Sequence, residues 1–323
     1  MPWFDLDPET LKTYRTSAVE PNDMDIFWNR MLKTAHENIS ATRIAVYKES
    51  IYSEIVKAYD VSFSGAYGDI IKGWLLRPRK TSSQTPLVID FSGYGGGRGL
   101  PIEHLMYPAL GYSVFVMDIR GQGGSWRIGD TGDPDHGGDS PSAPGVMTKG
   151  ITDHEKYYFT RLYIDALRAV EEAAQLDGID PERIVAAGAS QGGALSLVVS
   201  SLLPHMIKVC IAEIPFLADF PRAIGIASYP YKEIADFLSQ HVDIIDEALL
   251  TLRYIDTALL AKRITAPTLM ALGLMDDIAP PSSVYAVYNA IGAVKDLAVY
   301  PFTGHQVPAL HQERRIEFIK QYL

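Results

Sequence analysis

The sequence of 323 residues predicts an α/β protein built on a mainly parallel sheet, and three observations carry that prediction. Six short apolar runs, PLVIDFSG, YSVFVMDIRG, RIVAAGAS, KVCIAEIP, PTLMALGLMD and DLAVYPF, are nearly continuous, as strands buried on both faces of a parallel sheet must be. Segments of helical period separate them, over 160–175, 193–203, 282–291 and 308–323, so helices are expected on both faces of the sheet. One run breaks at Gly188-Ala189-Ser190-Gln191-Gly192 and then resumes, which marks a strand turning tightly into a helix.

Taken in order, the N-terminal stretch to about residue 40 forms an arm. Within it, Met24, Phe27, Trp28, Met31 and Leu32 fall on one helical face behind Pro21 and Asn22. SIYSEIVKAYDVSFSGAYGDIIKGWLLRPR follows, with β-branched and aromatic residues around the turn at 64–68, and predicts N-terminal antiparallel strands joined as a hairpin. KTSSQTP connects these to the parallel strands. Two interruptions stand out: a Gly-, Pro- and Asp-rich loop over 122–153, long enough to be functional or disordered, and a helical insertion over about 217–263 placed to cap the ligand-binding edge. No linker separates two cores, so a single domain carrying an insertion is expected.

Bulk properties exclude several functions. With 29 basic and 39 acidic residues the net charge is −10, and no Lys/Arg cluster offers a surface to nucleic acid or anionic lipid. No apolar run approaches the roughly 18 residues of a membrane span. The acidic start MPWFDLDPETLK lacks a basic segment followed by a long apolar one, so no secretory signal is expected. A lone cysteine, Cys210, cannot close an intrachain disulfide, and together these features favour the cytoplasm.

The chemistry centres on Ser190. Small residues on both sides allow a strained strand-serine-helix elbow, and the following helix brings free N–H groups to its base, where an oxyanion is stabilised. An ordinary Gly-rich turn has the same five-residue pattern, but an apolar strand before it and a helix with small residues after it match the elbow's context. A serine hydroxyl is a weak nucleophile near neutral pH and needs a base oriented by a carboxylate, in the chain order serine, acid, histidine. After Ser190, Asp276 and Asp277 end one strand run and His305 follows the next. His311 sits in the expected final helix, and His36, His104, His136, His154, His205 and His241 all precede the acid, leaving His305 as the base. Either aspartate satisfies the order; a cap on the helix near Pro281 is the plain alternative for Asp276, but a cap does not account for its place one strand before His305. Two oxyanion donors are expected: the Gln191 N–H, directly after the nucleophile, and one from DFSGYGGGRG, where Tyr94 is suitably placed. That glycine cluster fails the dinucleotide spacing and lacks Gly-Lys-Ser/Thr, so no nucleotide cofactor is expected.

Three motifs in order, RGQGGS at 120–125, GASQGG at 188–193 and GH at 304–305, resemble those of the acetyl xylan esterase and cephalosporin C deacetylase family. These are carbohydrate esterases of the α/β-hydrolase fold, and MTKGITDHEKYYFTRLYIDALRAVE and GLMDDIAPPSSVYAVYN extend the likeness over nearly the whole chain. The resemblance implies Ser190 as nucleophile, His305 as base and Asp276 as its partner, with backbone oxyanion donors at Tyr94 and Gln191, and no metal or organic cofactor. Arg120 and Gln122 become supports for the active-site loops. Expected substrates are small O-acetylated carbohydrates such as acetylated xylo-oligosaccharides, and cephalosporin-type acetyl esters. The expected assembly is a homo-oligomer, a ring-like hexamer in this family, with the N-terminal arm and the inserted helices as contact elements. Ser92 and Gln306 depart from the histidine and glutamate usual at those places. The rival enzyme is a general carboxylesterase or acyl-peptide hydrolase, which would draw a substrate-amine clamp from Asp219, Glu233 and Asp236; a non-catalytic binding protein would lack a triad member.

Overall fold

A computed structural model describes residues 5–37, 39–52, 54–81, 84–134 and 145–323. Positions 135–144 of the long loop, His136 included, lie outside the described residues, as do 1–4 of the arm. The strands are β1 (Arg43–Val46), β2 (Val56–Ser64), β3 (Ile70–Pro78), β4 (Thr85–Phe91), β5 (Ser113–Met117), β6 (Ile179–Ala189), β7 (Ile207–Glu213), β8 (Thr268–Gly273) and β9 (Lys295–Tyr300). They form one sheet in the order β1-β2-β3-β5-β4-β6-β7-β8-β9. Pairing is antiparallel from β1 through the β3–β5 contact and parallel from β5 to β9. This is the mainly parallel α/β arrangement expected from the alternation of apolar runs and helices, and the α/β-hydrolase fold that the family resemblance implies.

The strand period of two divides the core. Leu87, Ile89 and Phe91 of β4 join Phe115 and Met117 of β5 beneath the helices Met24–Ala35, Tyr158–Ala174 and Gln191–Leu202. Val88, Val114 and Val116 face the opposite side, under the C-terminal helix His311–Tyr322, whose Phe318 and Ile319 close that layer. Met24, Phe27, Trp28 and Met31 are buried, so the arm helix presents the face read from its spacing, while Leu32 packs only at the margin.

Strand β1 was not legible in the sequence. All four of its residues are exposed, so it is an edge strand with no buried face to impose alternation. The β2–β3 connection contains a short 3₁₀ turn, Ala66–Gly68, in which Tyr67 adopts φ 56°.

Between β7 and β8 the chain forms four helices, Phe220–Ile226, Tyr231–Gln240, Ile245–Ile255 and Thr257–Leu260, over the carboxyl ends of the parallel strands. The arm is tied to this insertion. Tyr14 and Thr16 hydroxyls donate to the Asp219 carboxylate at 2.8 and 2.6 Å, and Asp5 receives the Arg222 guanidinium at 2.5 Å and the Ser282 N–H at 2.7 Å. Leu11 is buried with Val284 and Val287 of helix Pro281–Ala290.

Candidate active site

The elbow follows from sterics. Ser190 adopts φ 58°, ψ −119°, between the end of β6 and the start of helix Gln191–Leu202. A Cβ at Gly192 would run into the Phe91 carbonyl of β4, and one at Gly188 into the Gly192 backbone. Glycine is therefore required at both positions for the turn to close. The strained residue is held by its own backbone: Ser190 N–H donates to Glu213 O at 2.9 Å, and its carbonyl accepts from Ala194 and Phe216, each at 3.0 Å. Strain of this kind persists only where the surroundings over-determine it.

Ser190 Oγ lies 2.8 Å from His305 Nε2, and His305 Nδ1 lies 2.8 Å from Asp276 Oδ2. The other Asp276 oxygen accepts the N–H groups of Ile278 and Ala279, both at 2.9 Å, so the carboxylate is fully buried yet saturated with donors. Its backbone bonds lie in the loop before Pro281, and that helix begins behind Pro280, so Asp276 is not its cap. Asp277 points away: its side chain is exposed, and its carbonyl accepts from Ser228. With the serine hydroxyl donating to Nε2, the imidazole carries its proton on Nδ1, directed at Asp276. That is the polarity needed for Nε2 to take the hydroxyl proton.

Gln122 joins the two loops expected to hold an oxyanion. Its Oε1 accepts the Gly95 N–H at 2.6 Å, and its Nε2 donates to Gln191 Oε1 and to the Tyr158 hydroxyl, both at 2.9 Å. Gln191 opens the helix after the nucleophile, where the first N–H groups have no intrahelical acceptor. Tyr94 precedes Gly95 and is anchored at its far end, its hydroxyl donating to Glu233 Oε1 at 3.0 Å and accepting from Val146 N–H at 3.2 Å. Burial raises the Tyr94 phenol well above its ordinary pKa and also raises the Glu233 carboxyl, against the hydrogen bonds from Tyr94 and Met147 that favour its charge. Ser92 hydroxyl turns inward to the Gly97 carbonyl at 2.8 Å, bracing the glycine loop. Gln306 is exposed beside the histidine.

Arg120 lies wholly inside the protein. It forks onto Asp165 at 2.5 and 2.8 Å and reaches Asp69 at 2.9 Å. Burial works against its charge, but the Asp165 carboxylate more than offsets that and holds the guanidinium protonated. Arg120 carbonyl accepts the Tyr158 hydroxyl at 2.6 Å, so the ion cluster and Gln122 brace one another through Tyr158.

These groups open on a cavity of about 590 Å³. Phe91, Trp126, Ile214, Tyr229, Pro230 and Ile278 supply apolar walls, and Asp90, Arg127, Glu233 and Arg315 supply charge. Apart from Glu233, weighed only as an amine clamp, sequence reasoning did not find these lining residues, because they come from six separate segments that only tertiary structure assembles. Of the three acids considered for an amine clamp, Asp219 is buried against Tyr14 and Thr16, Asp236 is exposed beside Lys232, and only Glu233 reaches the cavity. Among the described residues no group of three or more His, Cys, Asp or Glu is arranged to hold a metal ion, and no helix is long and apolar enough to cross a membrane.

The family model for acetyl xylan esterase (AXE1) matches residues 1–322. Acetyl esterase Axe7A of Xylanibacter ruminicola is 27% identical over 302 residues, which is 92% of this chain but 66% of that longer protein. Among solved structures, the acetyl xylan esterase from Paenibacillus sp. R4 superposes with a TM-score of 0.90 at 31% identity, covering 98% of this chain and 100% of that one. Acetyl Xylan Esterase 1 from Thermoanaerobacterium sp. JW/SL YS485 gives 0.88 at 32% identity over 99% of each chain.

Proposed function

The chain belongs to the acetyl xylan esterase family, and from that membership and the site geometry we propose a serine esterase that removes acetyl groups from small O-acetylated carbohydrates, acetylated xylo-oligosaccharides foremost. The observation that carries the reading is the Ser190–His305–Asp276 relay, with both links at 2.8 Å, opening on the cavity. Ser190 Oγ attacks the acetyl carbonyl while His305 Nε2 takes the hydroxyl proton. Negative charge gathering on the carbonyl oxygen is met by the backbone N–H groups of Tyr94 and Gln191. His305 then gives the proton to the departing sugar oxygen, leaving an acetyl-serine that water hydrolyses to acetate by the same steps in reverse order. Asp276 keeps the imidazole in the productive tautomer and offsets its transient charge.

Cephalosporin-type acetyl esters are the second substrate class, since the same attack needs only a small acyl group and a leaving alcohol. The acyl-peptide reading loses its support, because the three candidate acids do not converge on the cavity. We place the enzyme in the cytoplasm, where the single buried thiol of Cys210 stays reduced. It works as a homo-oligomer, the hexamer that the family resemblance implies; the apolar side chains of Phe302 and Leu310, 87% and 73% exposed near the catalytic histidine, support an interface there. Acetate release from acetylated xylo-oligosaccharides by the native enzyme, absent in Ser190→Ala, tests the activity; equal release by that variant would refute the nucleophile.

A further inference from the structure

We propose that Asp90 and Arg315 form a hydroxyl-recognition subsite that reads the alcohol part of the ester, next to the acyl-transfer machinery; this rests on the esterase reading above. Asp90 ends the apolar stretch of β4 and pairs with Ala187, three residues before the nucleophile. Its side chain is 28% exposed and lines the cavity. Among the described residues nothing donates a hydrogen bond to this carboxylate. The His104 Nδ1 lies 3.6 Å away, beyond hydrogen-bond length. His104 Nε2 is 2.8 Å from the Arg98 carbonyl, so Nε2 carries a proton, and in a neutral ring Nδ1 offers only a lone pair to the aspartate.

Arg315 complements it. The guanidinium spends Nε–H and one Nη2–H on the Glu213 carboxylate at 2.8 and 2.5 Å, and one Nη1–H on the Tyr107 hydroxyl at 3.3 Å. Of five N–H groups, one on each Nη remains for a ligand, and the side chain lines the same cavity. An acceptor and a donor lining one cavity suit a neutral group that is itself both donor and acceptor. A carboxylate or phosphate is repelled by Asp90 and an amine by Arg315, whereas a sugar hydroxyl satisfies both. A hydroxyl in place fills hydrogen bonds that an aryl leaving group cannot make, and unfilled polar groups are what let a site reject an analogue.

The test compares native enzyme with Asp90→Asn and Asp90→Ala, measuring kcat and KM on a mono-acetylated xylobiose and on 4-nitrophenyl acetate, with thermal melts to establish folding. The expected result is a ratio of kcat/KM, sugar ester over aryl ester, at least about tenfold lower in the variants, mostly through KM. A sugar ester with the neighbouring hydroxyls methylated should lose the same factor on the native enzyme and little further on Asp90→Asn. Equal losses on both esters, or no loss on the sugar ester, would overturn the subsite. A native enzyme that cleaves 4-nitrophenyl acetate but no acetylated sugar would instead refute the carbohydrate-esterase reading on which the subsite depends.

Discussion

At the scale of single residues, the site separates groups that react from groups that hold them. Ser190 is a partly exposed elbow residue whose hydroxyl, among the described residues, hydrogen-bonds only His305, so Ser190→Ala should remove turnover by at least about a thousandfold, as loss of a triad member does, while shifting Tm by no more than a degree or two. Asp276→Asn should cost about 10³–10⁴ in kcat, because the amide cannot both accept from His305 and keep its backbone donors, whereas Asp277→Asn should stay within about twofold. Comparable losses in the two aspartate variants, read by steady-state kinetics, would overturn Asp276 as the orienting acid. Gln122 touches neither Ser190 nor His305 but fixes both oxyanion loops; Gln122→Ala should lower kcat by about a hundredfold with a smaller change in KM. A rise in KM alone would show that it serves ground-state binding. Two members of the proposed triad were legible in sequence from local constraint, since glycines force the elbow and chain order leaves one histidine; the choice of Asp276 over Asp277 came from the family resemblance. Glu233, Asp90, Arg315 and Trp126 carry no such local mark. They matter only for where packing puts them.

At the scale of elements, two buried charge clusters fix the loops and the insertion around the site. Arg120 joins Asp165 of helix Tyr158–Ala174 to Asp69 of the β2–β3 turn, and Asp165 also accepts the Ala66 N–H at 2.9 Å. Arg120→Met leaves Asp165 buried without its partner and should destabilise the fold by about 3–5 kcal/mol, measured by denaturant unfolding. A loss below about 1 kcal/mol would mean that the cluster is replaceable packing. In the insertion, Asp256 is buried and caps helix Thr257–Leu260 while accepting N–H groups of Asp219 and Phe220. Burial, and next to it the Asp219 carboxylate, push the Asp256 carboxyl up to about 7, against the pull of its backbone donors. A carboxyl raised above its unfolded value contributes stability fully present below about pH 4 and lost as pH rises through about 7. Native Tm relative to Asp256→Asn should therefore rise as pH falls from 8 to 5; a pH-independent difference would show that Asp256 is ionised throughout. None of this was readable from periodicity. The insertion could be delimited by its flanking strands, but its partners in the arm, Asp5, Tyr14 and Thr16, sit some two hundred residues away. Strand β1 escaped for the opposite reason, having no buried face to leave a pattern.

At the scale of the whole molecule, the sheet places every reactive group at one edge. Ser190 follows β6, Asp276 follows β8 and His305 follows β9, while β4 leads into the loop with Tyr94; these strands run parallel, so their carboxyl ends meet at one rim. That rim is where open α/β sheets bind ligands, and the insertion between β7 and β8 roofs it. Parallel strands were readable because both faces are buried, and their order in the chain foretold the order of the triad. What sequence could not supply is the cavity, whose walls bring the arm-anchored insertion, the 122–153 loop and the C-terminal helix together. If exposed Phe302 and Leu310 lie in a subunit interface, light scattering should give a multiple of 35.6 kDa, and Phe302→Asp should lower it. A monomeric mass for the native protein would contradict the oligomer.

On the proposed function, this rim deacetylates small carbohydrate esters through Ser190. The most direct measurement is acetate release from acetylated xylo-oligosaccharides, run beside butyrate and octanoate esters, with Ser190→Ala as control. Release should vanish in the variant and fall steeply as the acyl chain lengthens. Faster cleavage of the octanoate ester would contradict it, leaving a serine hydrolase of another substrate class.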